Sequence, residues 1–193
     1  MRRFLIATFA LFAALPAAAQ DTQAFHGQAG YTVQLPAAWE RMPAATVQAL
    51  QQAGERAGSP YTMEAAFRAT TGAAAFPYVA MAWLDLGQTL TPEQLAQAVT
   101  SAHGQAAMQQ GADAMGAGAR VDAPVWDAEN RTVWVKSIMP PDGQAVTPWS
   151  LTASTLLPGG RKLVVFAYYA APGEDDARAR AALLAIVRSL RAD

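Results

Sequence analysis

Pro158-Gly159-Gly160-Arg161-Lys162-Leu163-Val164-Val165-Phe166-Ala167-Tyr168-Tyr169 is the stretch whose reading decides the architecture. The Pro-Gly-Gly triplet is a turn signal, and after it both parities of a period-two pattern are apolar. Val164, Phe166 and Tyr168 alternate with Leu163, Val165 and Ala167. A strand that turns apolar side chains to both faces needs cover on both, which places it in the middle of a sheet. Residues 77–86 share the property, with Val79, Met81 and Trp83 on one parity and Tyr78, Ala80, Ala82 and Leu84 on the other.

Working outward, the segments around these two strands are amphipathic. Tyr31-Thr32-Val33-Gln34-Leu35 alternates and stops at Pro36. Residues 43–56 predict a modest helix ended by Gly54 and Gly58. Residues 61–70 alternate, with Tyr61, Met63, Ala65 and Phe67 facing one way and Thr62, Glu64 and Arg68 the other; the pattern predicts a wet face on which Glu64 and Arg68 pair. Thr91-Pro92-Glu93-Gln94 is a capping box with proline at the first helical position. Leu95, Val99, Ala102 and Ala106 extend that helix as one stripe to at least Met108, and residues 111–118 read as a flexible connection. Residues 120–126 and 131–138 predict a strand pair, with Pro124 pushing the first toward an edge or bulge. Pro140-Pro141-Asp142-Gly143 is a turn before a strand over 146–157, and residues 173–191 close the chain as a helix whose stripe is Leu183, Ile186, Val187 and Leu190. Short turns between consecutive strands imply antiparallel pairing. The expectation is an α+β fold, an α/β/α sandwich with a mostly antiparallel sheet covered by helices on both faces.

The N-terminus reads as an export signal. Met1-Arg2-Arg3 is positive, residues 4–15 form a 12-residue apolar run too short to span a bilayer, and Pro16 is followed by Ala17-Ala18-Ala19. Cleavage after Ala19 leaves 174 of the 193 residues: a mobile leader over 20–30 and a single domain over 31–193. Twelve arginines against two lysines, with heavy alanine use, suggest a GC-rich bacterial coding bias and so a periplasmic or secreted destination.

Composition narrows the chemistry. There are no cysteines, which excludes disulfides, thiolate metal sites and a lipidated cysteine anchor. The formal charge of −1 loses two positive charges with Arg2 and Arg3, giving −3, so there is no basic footprint for nucleic acid. No later stretch is long and apolar enough to anchor the mature chain in a membrane. The two histidines, His26 and His103, lack metal-ligand spacing, and His103 reads as a helix-flank residue. No serine sits in a Gly-x-Ser-x-Gly elbow. Glu174-Asp175-Asp176 could gather calcium, but carboxylates at a helix N-terminus need no ligand to explain them. No catalytic, cofactor-binding or metal residue is assigned. Among five tryptophans, Trp39, Trp83 and Trp149 fall on apolar parities. Trp126 and Trp134 are the candidate partner surface, Trp134 sharing its parity with Thr132 and Lys136, with packing under the first helix as the other reading.

Gly30-Tyr31-Thr32-Val33-Gln34-Leu35-Pro36-Ala37-Ala38-Trp39 resembles the opening motif of the PsbP-like superfamily, a glycine-aromatic strand running into Pro-x-x-Trp. The end is similar too, with Gly159-Gly160 before an apolar strand and Ile186-Val187-Arg188-Ser189-Leu190 in the closing helix. The resemblance implies a Mog/PsbP-like α/β/α sandwich. It also implies a small non-catalytic accessory protein without cofactor, as are the extrinsic subunits of photosystem II, the DcrB-like bacterial envelope proteins and a nuclear Ran-binding factor. The chain lacks the lipobox cysteine of the lipid-anchored bacterial members. The leading expectation is an accessory factor binding an envelope protein. A small-molecule or lipid-binding module, with Met63, Met81, Met108 and Met139 lining a pocket, is second. A hydrolase of unknown type, needing His103 in a cleft, is third.

Overall fold

The computed structural model describes residues 21–69, 76–116, 118–138, 149–170 and 173–193. The export signal, the turn at Pro140-Pro141 and Met139 lie outside the described residues. Elements follow in the order β1 (Thr22–Gly27), β2 (Tyr31–Pro36), β3 (Trp39–Arg41), α1 (Ala44–Arg56), β4 (Thr62–Ala69), β5 (Tyr78–Asp85), α2 (Pro92–Thr100) and α3 (Ala102–Met115). Then come β6 (Arg120–Val121), β7 (Val125–Asp127), β8 (Thr132–Ile138), β9 (Trp149–Leu156), β10 (Lys162–Tyr169), α4 (Asp176–Ser189) and β11 (Arg191–Ala192). The large sheet runs β3-β4-β5-β10-β9-β8-β6 with β7 also on β8, and a small sheet runs β1-β2-β11. Every described pairing is antiparallel.

The two strands with apolar residues on both parities are interior: β10 lies between β5 and β9, and β5 between β4 and β10. Val164, Phe166 and Tyr168 of β10 enter the larger core cluster with Ala179, Leu183, Ile186 and Val187 of α4 and with Phe25, Tyr31, Val33 and Leu35 of the small sheet. Leu163 and Val165, of the other parity, join a smaller cluster with Leu95 of α2 and Val133 of β8.

Several expectations are corrected. Thr22–Gly27, placed in a mobile leader, is a strand paired residue for residue with β2, from Thr22↔Pro36 to Gly27↔Tyr31. The long second helix breaks at Ser101, an extended residue whose Oγ caps α3 by accepting from the Gly104 N–H at 3.1 Å. Ala102 and Ala106, expected on a buried stripe, are exposed, and α3 runs through Gly111 to Met115 where a flexible connection was expected. The strand over 120–126 is split into β6 and β7 with Pro124 between them, and both pieces pair with β8.

Glu64 is the most consequential correction. The β4–β5 register shifts between Met63 and Ala65, so Glu64 is the extra residue of a β-bulge. The bulge resets the alternation and carries Glu64 inward, where it is 8% exposed. Its Oε1 accepts from the Ala29 N–H at 3.0 Å and its Oε2 from the Tyr31 hydroxyl at 2.7 Å. Lys162 Nζ donates to the Ala29 carbonyl at 2.9 Å, tying β10 to the same β1–β2 turn. Arg68 pairs with Glu40 across β3 instead, at 3.7 Å. Burial, together with the Glu64 carboxyl, pushes the Tyr31 phenol well above its ordinary pKa and keeps it a donor. Tyr31→Phe leaves a buried carboxyl oxygen without its donor and should cost about 1–3 kcal/mol in urea denaturation. A change below about 0.5 kcal/mol, the size of an ordinary surface substitution, would mean this link does not hold the small sheet to β4.

Candidate functional site

The two tryptophans singled out as a partner surface do not share one. In the β7–β8 register Trp126 stands opposite Val133 and Trp134 opposite Val125, which sends the two indoles to opposite faces. Trp126 is half-buried against the smaller cluster. Trp134 is 2% exposed and belongs to the larger one. Its parity looked polar because of Thr132 and Lys136, but both have partners. The Thr132 hydroxyl donates to the Asn130 carbonyl at 2.9 Å, and Lys136 reaches Asp176 of α4 at 2.7 Å. Arg180 of α4 lies over the Trp134 ring, 4.5 Å from its centroid. The large apolar side chain left in the open here is Val125, 54% exposed.

Asp127 fixes this corner. Its carboxyl accepts from the Asn130 backbone and side chain at 3.1 and 2.9 Å and from the Trp134 indole N–H at 3.3 Å, with Arg180 at 4.0 Å. Burial works against the charge, but those hydrogen bonds and the guanidinium outweigh it and hold the carboxyl below its ordinary pKa.

The remaining candidate groups are scattered. His103 is exposed in the first turn of α3. His26 lies on β1 with Nδ1 2.8 Å from the Thr32 hydroxyl, which donates to Asp193 at 2.6 Å. Each member of Glu174-Asp175-Asp176 has a protein partner: Tyr168 donates to Glu174 at 2.7 Å, the Arg178 N–H to Asp175 at 2.8 Å, and Lys136 holds Asp176. No group of three or more potential metal-ligating side chains is found among the described residues. Met81 is fully buried in the larger cluster, while Met108 lines a small recess of about 200 Å³ with neither Met63 nor Met81. The methionine-lined pocket is therefore not formed by these three.

A different concavity is present. A groove of about 960 Å³ opens between α4 and the corner where β2 passes into β3. One wall is Arg178, Ala181, Ala182, Ala185 and Ser189 of α4; the opposite side includes Gln34, Pro36 and Trp39. Trp39 and Tyr168 contact each other with centroids 6.1 Å apart. Ser189 joins the two walls, its hydroxyl accepting from the Gln34 N–H at 2.8 Å and donating to the Ile186 carbonyl at 2.7 Å. Burial and the hydrogen bond to Glu174 push the Tyr168 phenol above its ordinary pKa, so it stays protonated. Asp21 and Arg178 are the charged side chains among the described lining. Such a surface can enclose an apolar group and offers little for proton transfer. Sequence reasoning placed Trp39 and Tyr168 in the core and read nothing into Ala181 or Ala185. No local pattern marks a groove whose walls are more than a hundred residues apart in the chain.

The fold is PsbP-like. The chain matches the solution structure of cyanobacterial PsbP (CyanoP) from Synechocystis sp. PCC 6803 with a TM-score of 0.57, over 95% of this chain and 99% of that one. Sequence identity is 13%, so the likeness is one of fold. No protein-family model matches the chain, and a search of curated proteins finds no match. No helix among the described residues is long and apolar enough to cross a membrane.

The different burial of the two indoles sets their cost. Trp134→Ala should destabilise the chain by about 3–5 kcal/mol, as for a fully buried large aromatic. Trp126→Ala should cost distinctly less, and equal losses in urea denaturation would overturn the division. Asp127 adds a pH signature. A carboxyl whose folded pKa is depressed contributes stability that is present above its unfolded value, about 3.9, and is lost as pH falls through the folded one. Asp127→Asn should therefore flatten the acid limb of a stability profile below about pH 4 and leave its shape near neutrality unchanged; an unaltered acid limb would count against the arrangement.

Proposed function

We propose that this chain is an exported, non-catalytic accessory protein that docks a partner of the cell envelope in the groove beside α4. The observation that carries the reading is the groove: a large, open, mainly apolar concavity, while the histidines are exposed and the acidic cluster is spent on capping and ion pairs. The PsbP-like fold supports an accessory role by analogy, and the resemblance of the 30–39 motif points the same way. In this reading residues 1–19 are removed on export, and the large sheet is the middle layer of an α/β/α sandwich. A lipid or other small apolar molecule is the second reading, favoured by a volume within the range of ligand pockets.

A photo-crosslinking amino acid placed at Ala185, in the groove, and separately at Trp126, outside it, separates the readings in the native host's periplasm. A single envelope protein captured from position 185 and not from 126, and lost when the groove is filled by Ala182→Trp, is the expected result. An extractable lipid or small molecule recovered with the purified chain, and no protein adduct, would favour the second reading. No adduct and no bound molecule would overturn both.

A further inference from the structure

Among the described residues, β1 ends the small sheet, with β2 on one side and no strand on the other. The Ala37 N–H donates to the Asp21 carbonyl at 2.8 Å, one step beyond the Thr22↔Pro36 pair. Bonded and unbonded positions alternate along an antiparallel pair, so Asp21, Gln23, Phe25 and Gly27 turn their backbone groups toward β2. Thr22, Ala24 and His26 turn theirs away. All three residues are exposed, and no described residue bonds these outward N–H and carbonyl groups.

Folded proteins usually blunt an open edge with brevity, charge, proline or a cover. The other edges of this chain are blunted. β3 has three residues, two of them charged, and its Trp39 carbonyl accepts from the Gln23 side chain. β6 and β7 are parted by Pro124, and β11 has two residues. β1 has six residues and contains no proline, lysine, arginine or carboxylate. A bare edge in a chain that blunts its others is a place for another strand.

The edge is also complementary to itself. Two copies of β1 laid antiparallel about a two-fold axis at Ala24 set Ala24 opposite Ala24 and Thr22 opposite His26 of the second copy. Each such pair exchanges two hydrogen bonds, roughly six in all, and the small alanine side chains meet at the axis without crowding. On the inward side the same register sets Asp21 across from Gly27 of the second copy. That position is one same-face step from Phe25, over whose ring Arg41 lies 5.7 Å from the centroid. Asp21 and Arg41 are exposed, and neither has an ion-pair partner among the described residues. The pairing brings these opposite charges toward each other twice, once on each side of the axis.

We propose that two copies of this chain associate through β1, joining their three-stranded sheets into one continuous sheet with Ala24 at the two-fold axis. The inference goes beyond the groove reading and stands or falls without it.

Sedimentation velocity of the full chain should show a dimer that builds up across the micromolar range. Ala24→Pro removes only an N–H that faces away from β2, so it should leave the monomer folded and raise the dissociation constant at least about tenfold. Ala24→Lys, which sets like charges opposite each other at the axis, should act in the same direction. Far-UV circular dichroism identical to the parent shows that each variant is folded. Asp21→Arg and Arg41→Asp should each weaken the dimer, and the double variant should recover most of the loss. The chain has no cysteine of its own, so Ala24→Cys can be read directly. Its Cα atoms would lie about 5.5 Å apart in the dimer, within disulfide reach. Mild oxidation should link it, and should not link Thr22→Cys, whose mate lies four residues along the strand. A chain that stays monomeric throughout, or a dimer that survives both substitutions at Ala24, overturns the proposal. A double charge variant no tighter than the single ones overturns the antiparallel register. Association through any other surface, the groove included, is untouched by a proline at position 24, so the two readings fail separately.

Discussion

Burying both faces of β10 is the constraint from which the rest of the fold follows. A strand with Val164, Phe166 and Tyr168 on one side and Leu163 and Val165 on the other cannot sit at an edge or against water without exposing several apolar side chains, each worth about 1.5–3 kcal/mol when buried. The structure meets the demand twice. The first set packs with α4 and the β1–β2 hairpin, the second with Leu95 of α2 and Val133 of β8. The connections, the small sheet and the closing helix are all consequences of covering one strand.

Covering the first face brings in a second constraint, because the β1–β2 hairpin belongs to a different sheet and must be registered on the first. The bulge at Glu64 does this. A carboxyl carried inward by one inserted residue receives the Tyr31 hydroxyl and the Ala29 N–H, while Lys162 grips the carbonyl of the same turn. These polar bonds have directions, so they fix where the hairpin sits in a way that apolar packing alone would not. The hairpin's opposite end then meets the β2–β3 corner, and the groove lies between that corner and α4, with the two walls joined at Ser189 and the Trp39–Tyr168 contact along the lining.

The placement of charge explains why the proposed function is attached to the groove. Carboxylates that looked available in the sequence are engaged by the fold: Asp175 caps α4, Asp176 holds Lys136, and Asp127 anchors Trp134. Small alanines on α4 leave the groove open where larger side chains would have filled it. The helix buries Ala179, Leu183, Ile186 and Val187 on one face, and Ala181, Ala182 and Ala185 line the groove.

The sequence by itself determined the elements with strong internal periodicity: the two-faced strands at 77–86 and 163–169, the capped start of α2, the closing helix, and the α+β class with its mostly antiparallel sheet. These are legible because alternation and capping are local, set by neighbours two to four residues away. Tertiary structure alone decided the rest. β1 buries only Phe25 and Gly27 and has no pattern until β2 supplies its partner. Glu64 changes face because the register with β5 slips by one residue, and in a strand one residue is the difference between water and core. Trp134 is enclosed because Arg180 and Asp176 arrive from a helix some forty residues later and clothe a face whose own sequence reads as polar. The groove beside α4 is of the same kind: it is a property of the distance between two segments, and no stretch of either encodes that distance alone.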